Sequence, residues 1–238
     1  MLVAYSLSEN GPRIIDVTEG EVVPGDARWI DLYQPTREED HEAEIFLQAS
    51  LPTREEAAEI EFSSRFYTED GSVFMTASVL TGVDQGKPVL VPLTIVIAGD
   101  QRIATLRYEE LRAHKQFLVR ATKAGSGCAT TASVFYGLIE AIVDRTADVL
   151  EKISTDVDRI NQEVFAKRKE KRLGTRLSAL IEDVGAQGDL AAKARESLSS
   201  LERLVQFAGV ALPPGFGKGQ NKNRLKLLAR DVRSLEDH

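Results

Sequence analysis

The sequence is poor in the side chains on which most enzymes and many secreted proteins depend. Its 238 residues include one cysteine, Cys128, and three histidines. A single cysteine excludes a disulfide framework and a cysteine-based zinc centre within the chain. Three histidines leave little material for general acid–base catalysis, and no Ser-His-Asp or Cys-His arrangement stands out. The composition therefore gives no support to an enzyme.

Long hydrophobic runs and an excess of positive charge are also missing. The longest apolar runs, such as residues 89–98, fall well short of the roughly 20 residues that a membrane helix needs. A net charge of −7 argues against a general nucleic-acid-binding protein and suits one that handles cations. The opening segment, residues 1–7, is short and uncharged, unlike a signal peptide. The chain is therefore interpreted as soluble, globular and cytoplasmic.

The first 110 residues carry strand and turn signals. Two capping boxes, at Thr36 with Glu39 and at Thr53 with Glu56, predict helix starts, the second helix running through Ile60. Turn sequences at 69–71 and 99–100 predict hairpins. Strands are predicted at 1–7, 13–17, 27–32, 62–68, 72–80, 91–98 and 102–108.

From about Thr131 the pattern changes to long helices. Apolar positions step by three and four residues from Ile142 to Val164, and again from Leu177 to Ala208. This heptad seam predicts two helices that pack along their length. A Gly- and Pro-rich linker, residues 209–220, precedes a third helix that begins near Asn221 or Asn223. No Gly, Asn or Pro closes that helix, so we expect it to continue in a longer natural protein.

Together these patterns predict an α+β protein. The expected head, residues 1–125, is an αβα sandwich with a mixed sheet. Long antiparallel helices with the linker follow at 126–220, and a truncated stalk helix begins at 221–238.

Three separated stretches identify a family. The sequences LPTREEAAEIEFSSRFYTEDGSVFMTA (51–77), YGLIEAIVDRTADVLEKI (136–153) and LARDVRSLEDH (228–238) strongly resemble the cytoplasmic domain of bacterial CorA-type divalent-cation transporters. The resemblance covers nearly the whole chain in one order. It implies a homo-pentamer at the cytoplasmic side of the inner membrane, with the stalk helix leading into membrane helices and a Gly-Met-Asn pore signature beyond residue 238.

The resemblance also implies regulatory Mg²⁺ bound between neighbouring cytoplasmic domains. Mg²⁺ prefers oxygen ligands and often keeps its waters while contacting one or two carboxylates. The candidate ligands are Asp84, which follows the strand ending at Leu80, and Asp231 and Asp237 on the stalk helix. A second spacing, Glu38, His41 and Glu42, would suit zinc but lacks an evident fourth ligand.

Two other segments bear on function. The basic segment 166–176, at the predicted turn between the long helices, departs from the acidic residues of the family and could meet anionic lipid headgroups. The Gly-rich segment 215–219 lacks the G-x-x-x-x-G-K-[ST] spacing of a phosphate-binding loop.

The leading hypothesis is a metal-sensing regulatory domain of a magnesium and cobalt transporter, without enzymatic activity and without nucleic-acid partners. A zinc-transporting relative of the same superfamily is the first alternative, since ion selectivity resides in the pore signature. A soluble helical scaffold with no ion role is the second.

Overall fold

The structure, a computed structural model, describes residues 1–15, 22–99, 101–123, 126–166 and 173–237. The side chains of residues 165, 166, 173–177, 220 and 222 lie outside this description. The basic segment 166–176 therefore falls outside the residues whose side chains are described, and its predicted role stays a prediction.

The described residues contain one seven-stranded sheet with the order β2-β1-β3-β7-β6-β5-β4. Neighbouring strands are antiparallel except β3 and β7, which are parallel, so the sheet is mixed as predicted. The strands are β1 Leu2–Ser8, β2 Gly11–Ile15, β3 Trp29–Tyr33, β4 Phe66–Glu69, β5 Ser72–Thr81, β6 Val89–Ala98 and β7 Arg102–Arg107.

Seven α-helices accompany the sheet in the described residues. They are α1 Arg37–Leu47, α2 Arg54–Ala58, α3 Phe62–Arg65, α4 Arg112–Ala121, α5 Thr131–Ala166, α6 Leu173–Ala211 and α7 Arg224–Glu236. Short 3-10 turns span Val83–Gln85, Pro214–Gly217 and Gly219–Asn223. Both predicted capping boxes are formed, at the starts of α1 and α2.

The prediction of a strand over 62–68 is wrong in its first half. Phe62 starts a helical turn, and the N–H of Phe66 donates to the carbonyl oxygen of Phe62. Their rings lie 4.9 Å apart, because four residues make about one helical turn. The segment between them has no β-branched residue that would favour a strand. The helix predicted to reach Ile60 ends at Ala58, where Glu59 turns to extended backbone.

Apolar residues cover both faces of the sheet. On one face Ala43, Phe46 and Leu47 of α1 pack against the strands, in a cluster that includes Leu32 and Leu106. The other face meets α4, α5, α6 and α7 in the larger cluster. The sheet thus lies between two helical layers, which confirms the α+β class and the αβα arrangement of the head. The division at residues 125 and 220 remains a prediction.

Burial along the heptad seam is continuous beside the sheet and uneven farther along, where Ile160 is still only 2% exposed. Ile142, Val149 and Leu198 are 2% exposed or less. Farther along the same seam Val157 is 38% exposed and Val184 is 55% exposed. A 36-residue helix such as α5 is about 54 Å long, so its distal part extends beyond the sheet that covers its start.

Helix α6 also covers the part of β5 that β4 leaves unpaired. Strand β4 pairs with β5 only as far as Met75. Beyond it, the N–H groups of Ser78 and Leu80 donate to the hydroxyl oxygens of Ser200 and Ser197, at 2.8 and 3.3 Å. Open sheet edges favour unwanted pairing with other chains. Two serines of α6 therefore satisfy the amides that a further strand would otherwise have paired.

Candidate divalent-cation site

Asp84 lies on a tight loop between β5 and β6. Gly82 begins the loop with a φ of +74°, and a Cβ at this position would lie 2.0 Å from the backbone oxygen of Lys87. The N–H of Lys87 donates to the Gly82 oxygen at 3.0 Å. Only glycine accommodates both the left-handed backbone and this close approach. The loop fixes Asp84 at the end of the sheet, beside α4 and α5.

Asp84 is held by two arginines from two different helices. Arg112, the first residue of α4, places its guanidinium 2.6 Å from Oδ2. Arg145 of α5 donates from one nitrogen to both oxygens, at 2.9 and 3.0 Å. The hydrogen bond from Arg112, aided by the charge of Arg145, holds the pKa of Asp84 below its ordinary value. Asp84 is therefore an ionised carboxylate with two counter-charges.

The three side chains differ in their access to water. The Asp84 side chain is 41% exposed and that of Arg112 is 54% exposed, whereas Arg145 is only 15% exposed. They line a cleft of about 280 Å³ together with Glu110 and Lys115, which form their own ion pair at 2.5 Å. Two acids and three bases thus line this cleft.

Asp231 lies on α7, as predicted, and Asp237 is the C-cap residue just after it. Leu228 and Val232 are the buried residues of this helix, and Asp231 faces outward beside Arg230, with the two groups 3.4 Å apart. Asp237 is the exposed residue that ends the helix. The structure shows no hydrogen bond or ion pair that joins either residue to Asp84 within the described part of one chain.

The donors fit a hydrated magnesium ion better than a fully enclosed one. Among the residues that the structure describes, no three His, Cys, Asp or Glu side chains come close enough to hold a metal ion, and this includes Glu38, His41 and Glu42. Exposed carboxylates are nevertheless the ligands that Mg²⁺ takes one or two at a time. Within the described residues Asp84 and Glu110 are the two carboxylates that line this cleft, so a cation at Asp84 would keep most of its waters.

Among the described residues, the carboxylate with the most strongly shifted pKa belongs to Asp31, which is 2% exposed. Burial alone would raise its pKa, but hydrogen bonds and charge from His114 and Arg107 outweigh burial and lower it. Arg107 lies 2.8 Å from Oδ2, the Thr105 hydroxyl donates to Oδ1 at 2.6 Å, and His114 Nε2 is 3.2 Å from Oδ1. With its oxygens already engaged, Asp31 is a structural anchor rather than a metal ligand.

Comparison with known proteins decides the family. A family model described as "CorA-like Mg2+ transporter protein" matches residues 24–238. The chain belongs to the CorA family. This confirms the resemblance drawn from the sequence, and it confirms that the chain is not an enzyme, because the members of this family transport ions.

Named relatives agree with this membership. The magnesium transport proteins CorA of Salmonella typhimurium and Escherichia coli are each 28% identical to this chain over 243 residues. Each match covers 100% of this chain and 72% of the relative. CorA proteins are thus similar along the whole length of the chain.

Solved structures share the fold at lower identity. The soluble domain of CorA from Methanocaldococcus jannaschii has a TM-score of 0.75 at 14% identity, covering 99% of this chain and 89% of that one. The cytoplasmic domain of ZntB from Vibrio parahaemolyticus has a TM-score of 0.69 at 9% identity, covering 99% of this chain and 88% of that one.

Within the described residues of this CorA-family chain, no helix combines the length and the apolar character needed to cross a membrane.

Sequence reasoning missed the two arginines. Arg145 lies inside the stretch 136–153 that carries the resemblance, and Arg112 lies on α4, a helix that was not predicted. Leu111 at the N-cap makes no side-chain hydrogen bond, so the usual start signal is absent. An ion pair between residues 61 positions apart in the chain, such as Asp84 with Arg145, leaves no signal in a single sequence.

Proposed function

We propose that this chain is the cytoplasmic, cation-sensing part of a CorA-type Mg²⁺ transporter. The observation that carries the proposal is the family match from residue 24 to the last residue, together with relatives named as magnesium transport proteins. The same match favours a transporter over a scaffold with no ion role.

We infer the assembly and the location from the same membership. We expect a homo-oligomer, a pentamer in the whole protein, held at the inner membrane with this part on the cytoplasmic side. We also expect α7 to be the stalk helix that leads toward the membrane segment. The outward position of Asp231 on α7 supports this, because a side chain that faces away from its own subunit is available to a neighbouring one.

The proposed sensor is a Mg²⁺ ion shared between copies. Asp84 of one copy would meet Asp231 or Asp237 of a neighbour, with waters completing the shell. A bound dication offsets the repulsion between these carboxylates, and its loss lets the repulsion separate the copies. Because binding and assembly are linked, Mg²⁺ should raise the affinity between copies by the same factor by which assembly raises the affinity for Mg²⁺.

A zinc-transporting relative is the second candidate. The cytoplasmic domain of ZntB shares the fold of this chain, and a shared fold is compatible with either ion. Carboxylate oxygens without histidine or cysteine are hard ligands that suit Mg²⁺ better than Zn²⁺. Titrating the same chain with Mg²⁺, Co²⁺ and Zn²⁺ separates the two candidates, since a zinc protein should respond to micromolar Zn²⁺ and ignore millimolar Mg²⁺.

The experiment that tests the proposal measures solution mass and thermal unfolding with and without millimolar Mg²⁺. At ten times the dissociation constant, binding to the folded state should raise the melting temperature by about 3–6 °C for a chain of this size. Asp84→Asn should lose this rise. Asp144→Asn is the matched control, because Asp144 is an exposed, arginine-paired carboxylate outside the proposed site. An unchanged melting temperature and mass, or an equal rise in Asp84→Asn, would contradict the proposal.

A further inference from the structure

The ion pairs at Asp84 oppose the binding of a cation there. Both oxygens of the carboxylate already face guanidinium groups, from Arg112 and Arg145. The three side chains together carry a charge of +1, and the neighbouring Glu110–Lys115 pair adds none. A dication that approaches this cleft therefore meets a net repulsion until one of the arginines leaves.

The two arginines are not equivalent. Arg145 is 15% exposed, and Asp84 is the one ion-pair partner that the structure gives it in the described residues. Its release would strand a partly buried charge, which is costly. Arg112 is 54% exposed and contacts only Oδ2, so its release returns a guanidinium to water. Exposed pairs of this kind are weak and exchangeable.

A second cleft gives Arg112 an alternative partner. This cleft, of about 800 Å³ between α4 and α5, is lined by Arg112 and also by Asp148. Asp84 is the main cause that raises the pKa of Arg112, and the negative charge of Asp148 adds a smaller contribution. Arg112 thus pairs with Asp84 on the loop and shares the second cleft with Asp148 on α5.

We propose that Arg112 is a built-in competitor of the divalent cation at Asp84, and that it leaves this carboxylate for the Asp148 side when the cation binds. Arg145 stays in place and positions Asp84. The inference rests on the proposed cation role of Asp84 and specifies how that site is tuned. Competition raises the cation concentration at which the site fills, because only the fraction of molecules with Oδ2 vacated is competent to bind.

The size of the effect follows from the strength of an exposed ion pair. Such a pair keeps Oδ2 occupied often enough to weaken apparent cation affinity by about two- to sixfold. Arg112→Gln should therefore shift the Mg²⁺ midpoint, measured by thermal unfolding of the 238-residue chain, to a concentration about two- to sixfold lower. Arg112→Lys keeps the charge and should stay near the parent midpoint. Asp148→Asn removes the alternative partner and should move the midpoint upward.

Lys115→Gln is the matched control. It removes one positive charge from the same cleft, but Lys115 pairs with Glu110 and does not contact Asp84. Competition predicts a clearly smaller shift for Lys115→Gln than for Arg112→Gln. Equal shifts in the two variants, or no shift in Arg112→Gln, would overturn the inference.

Asp84→Asn separates this inference from the function on which it rests. If Asp84→Asn abolishes the Mg²⁺ response while Arg112→Gln leaves the midpoint unchanged, competition fails and the proposed cation site stands. If Asp84→Asn responds to Mg²⁺ like the parent, the proposed site itself fails and competition with it.

Discussion

Replacing Asp31 by asparagine would remove the negative charge at the centre of a buried cluster. Asp31 on β3 joins Arg107 on β7 and His114 on α4, and all three side chains are less than a tenth exposed. The guanidinium of Arg107 also lies 4.7 Å from the ring centroid of Tyr33. An asparagine keeps the shape of the side chain but leaves the Arg107 charge without its partner.

The expected cost is large because the stranded charge stays buried. Breaking a buried ion pair by removing one partner typically costs about 3–5 kcal/mol. The free energy of unfolding of natural domains is about 5–15 kcal/mol, so Asp31→Asn should remove a substantial fraction of it. For a chain of this size the melting temperature should fall by about 6–20 °C.

Urea unfolding followed by circular dichroism measures this cost. Asp144→Asn breaks a pair with Arg120 in which both side chains are more than half exposed, and it should cost about 0–1 kcal/mol. A double change of Asp31→Leu with Arg107→Met should recover much of the loss, since the Arg107 charge is then no longer stranded. A cost below about 1 kcal/mol for Asp31→Asn would refute the reasoning that burial makes this pair dominant.

The same cluster makes the stability of the fold depend on pH. The folded pKa of Asp31 lies below its unfolded value, which is near 4. Its stabilising contribution is therefore fully present above that unfolded value and is lost as the pH falls through the folded pKa. Asp31→Asn should be less stable than the parent at pH 7, and the difference should narrow at pH 2–3.

Three further predictions concern the loop, the sheet edge and the thiol. Gly82→Ala should destabilise the chain by about 1–3 kcal/mol in urea and weaken any Mg²⁺ response at Asp84, whereas Gly86→Ala, also left-handed but with open space around it, should cost less. Ser200→Ala leaves a buried strand N–H unpaired and should cost about 1–3 kcal/mol by thermal unfolding. Burial raises the pKa of Cys128 to about 11, so its reaction with a thiol reagent at pH 8 should be far slower than that of a model thiol, and an equal rate would contradict its burial.

Motifs made by residues close together in the chain predicted several elements of the head correctly. Elements without such a local motif were missed. The capping boxes at Thr36 and Thr53 are made within four residues, so the sequence carries all of each motif. The hairpins β4–β5 and β6–β7 are predictable for the same reason, since the turn sequences at 69–71 and 99–100 lie between their strands in the chain. Helix α4 lacks a side-chain cap at Leu111 and was missed.

The candidate site was predictable only in part. Asp84 was placed through the family resemblance, and the structure puts it on an exposed loop. Its ion pairs with Arg112 and Arg145 depend on how β5, α4 and α5 meet in three dimensions, which no spacing within one sequence reveals. The seam from Ile142 to Val164 predicted the packing of the long helices but not which of its positions are buried, since Val157 is 38% exposed and Ile160 only 2%.

The serine contacts between α6 and β5 have a mechanical consequence. The hydroxyl groups of Ser197 and Ser200 accept hydrogen bonds from two amides that are two residues apart on β5. A shift of α6 along its own axis would therefore break both hydrogen bonds together. The sheet and α6 should therefore move together as one rigid body. From Ser197 to the far end of α6 at Leu173, about 36 Å, a tilt of about 5° at the sheet would displace the distant tip by about 3 Å. A sub-ångström adjustment around a bound ion could in this way be read out as a displacement several times larger.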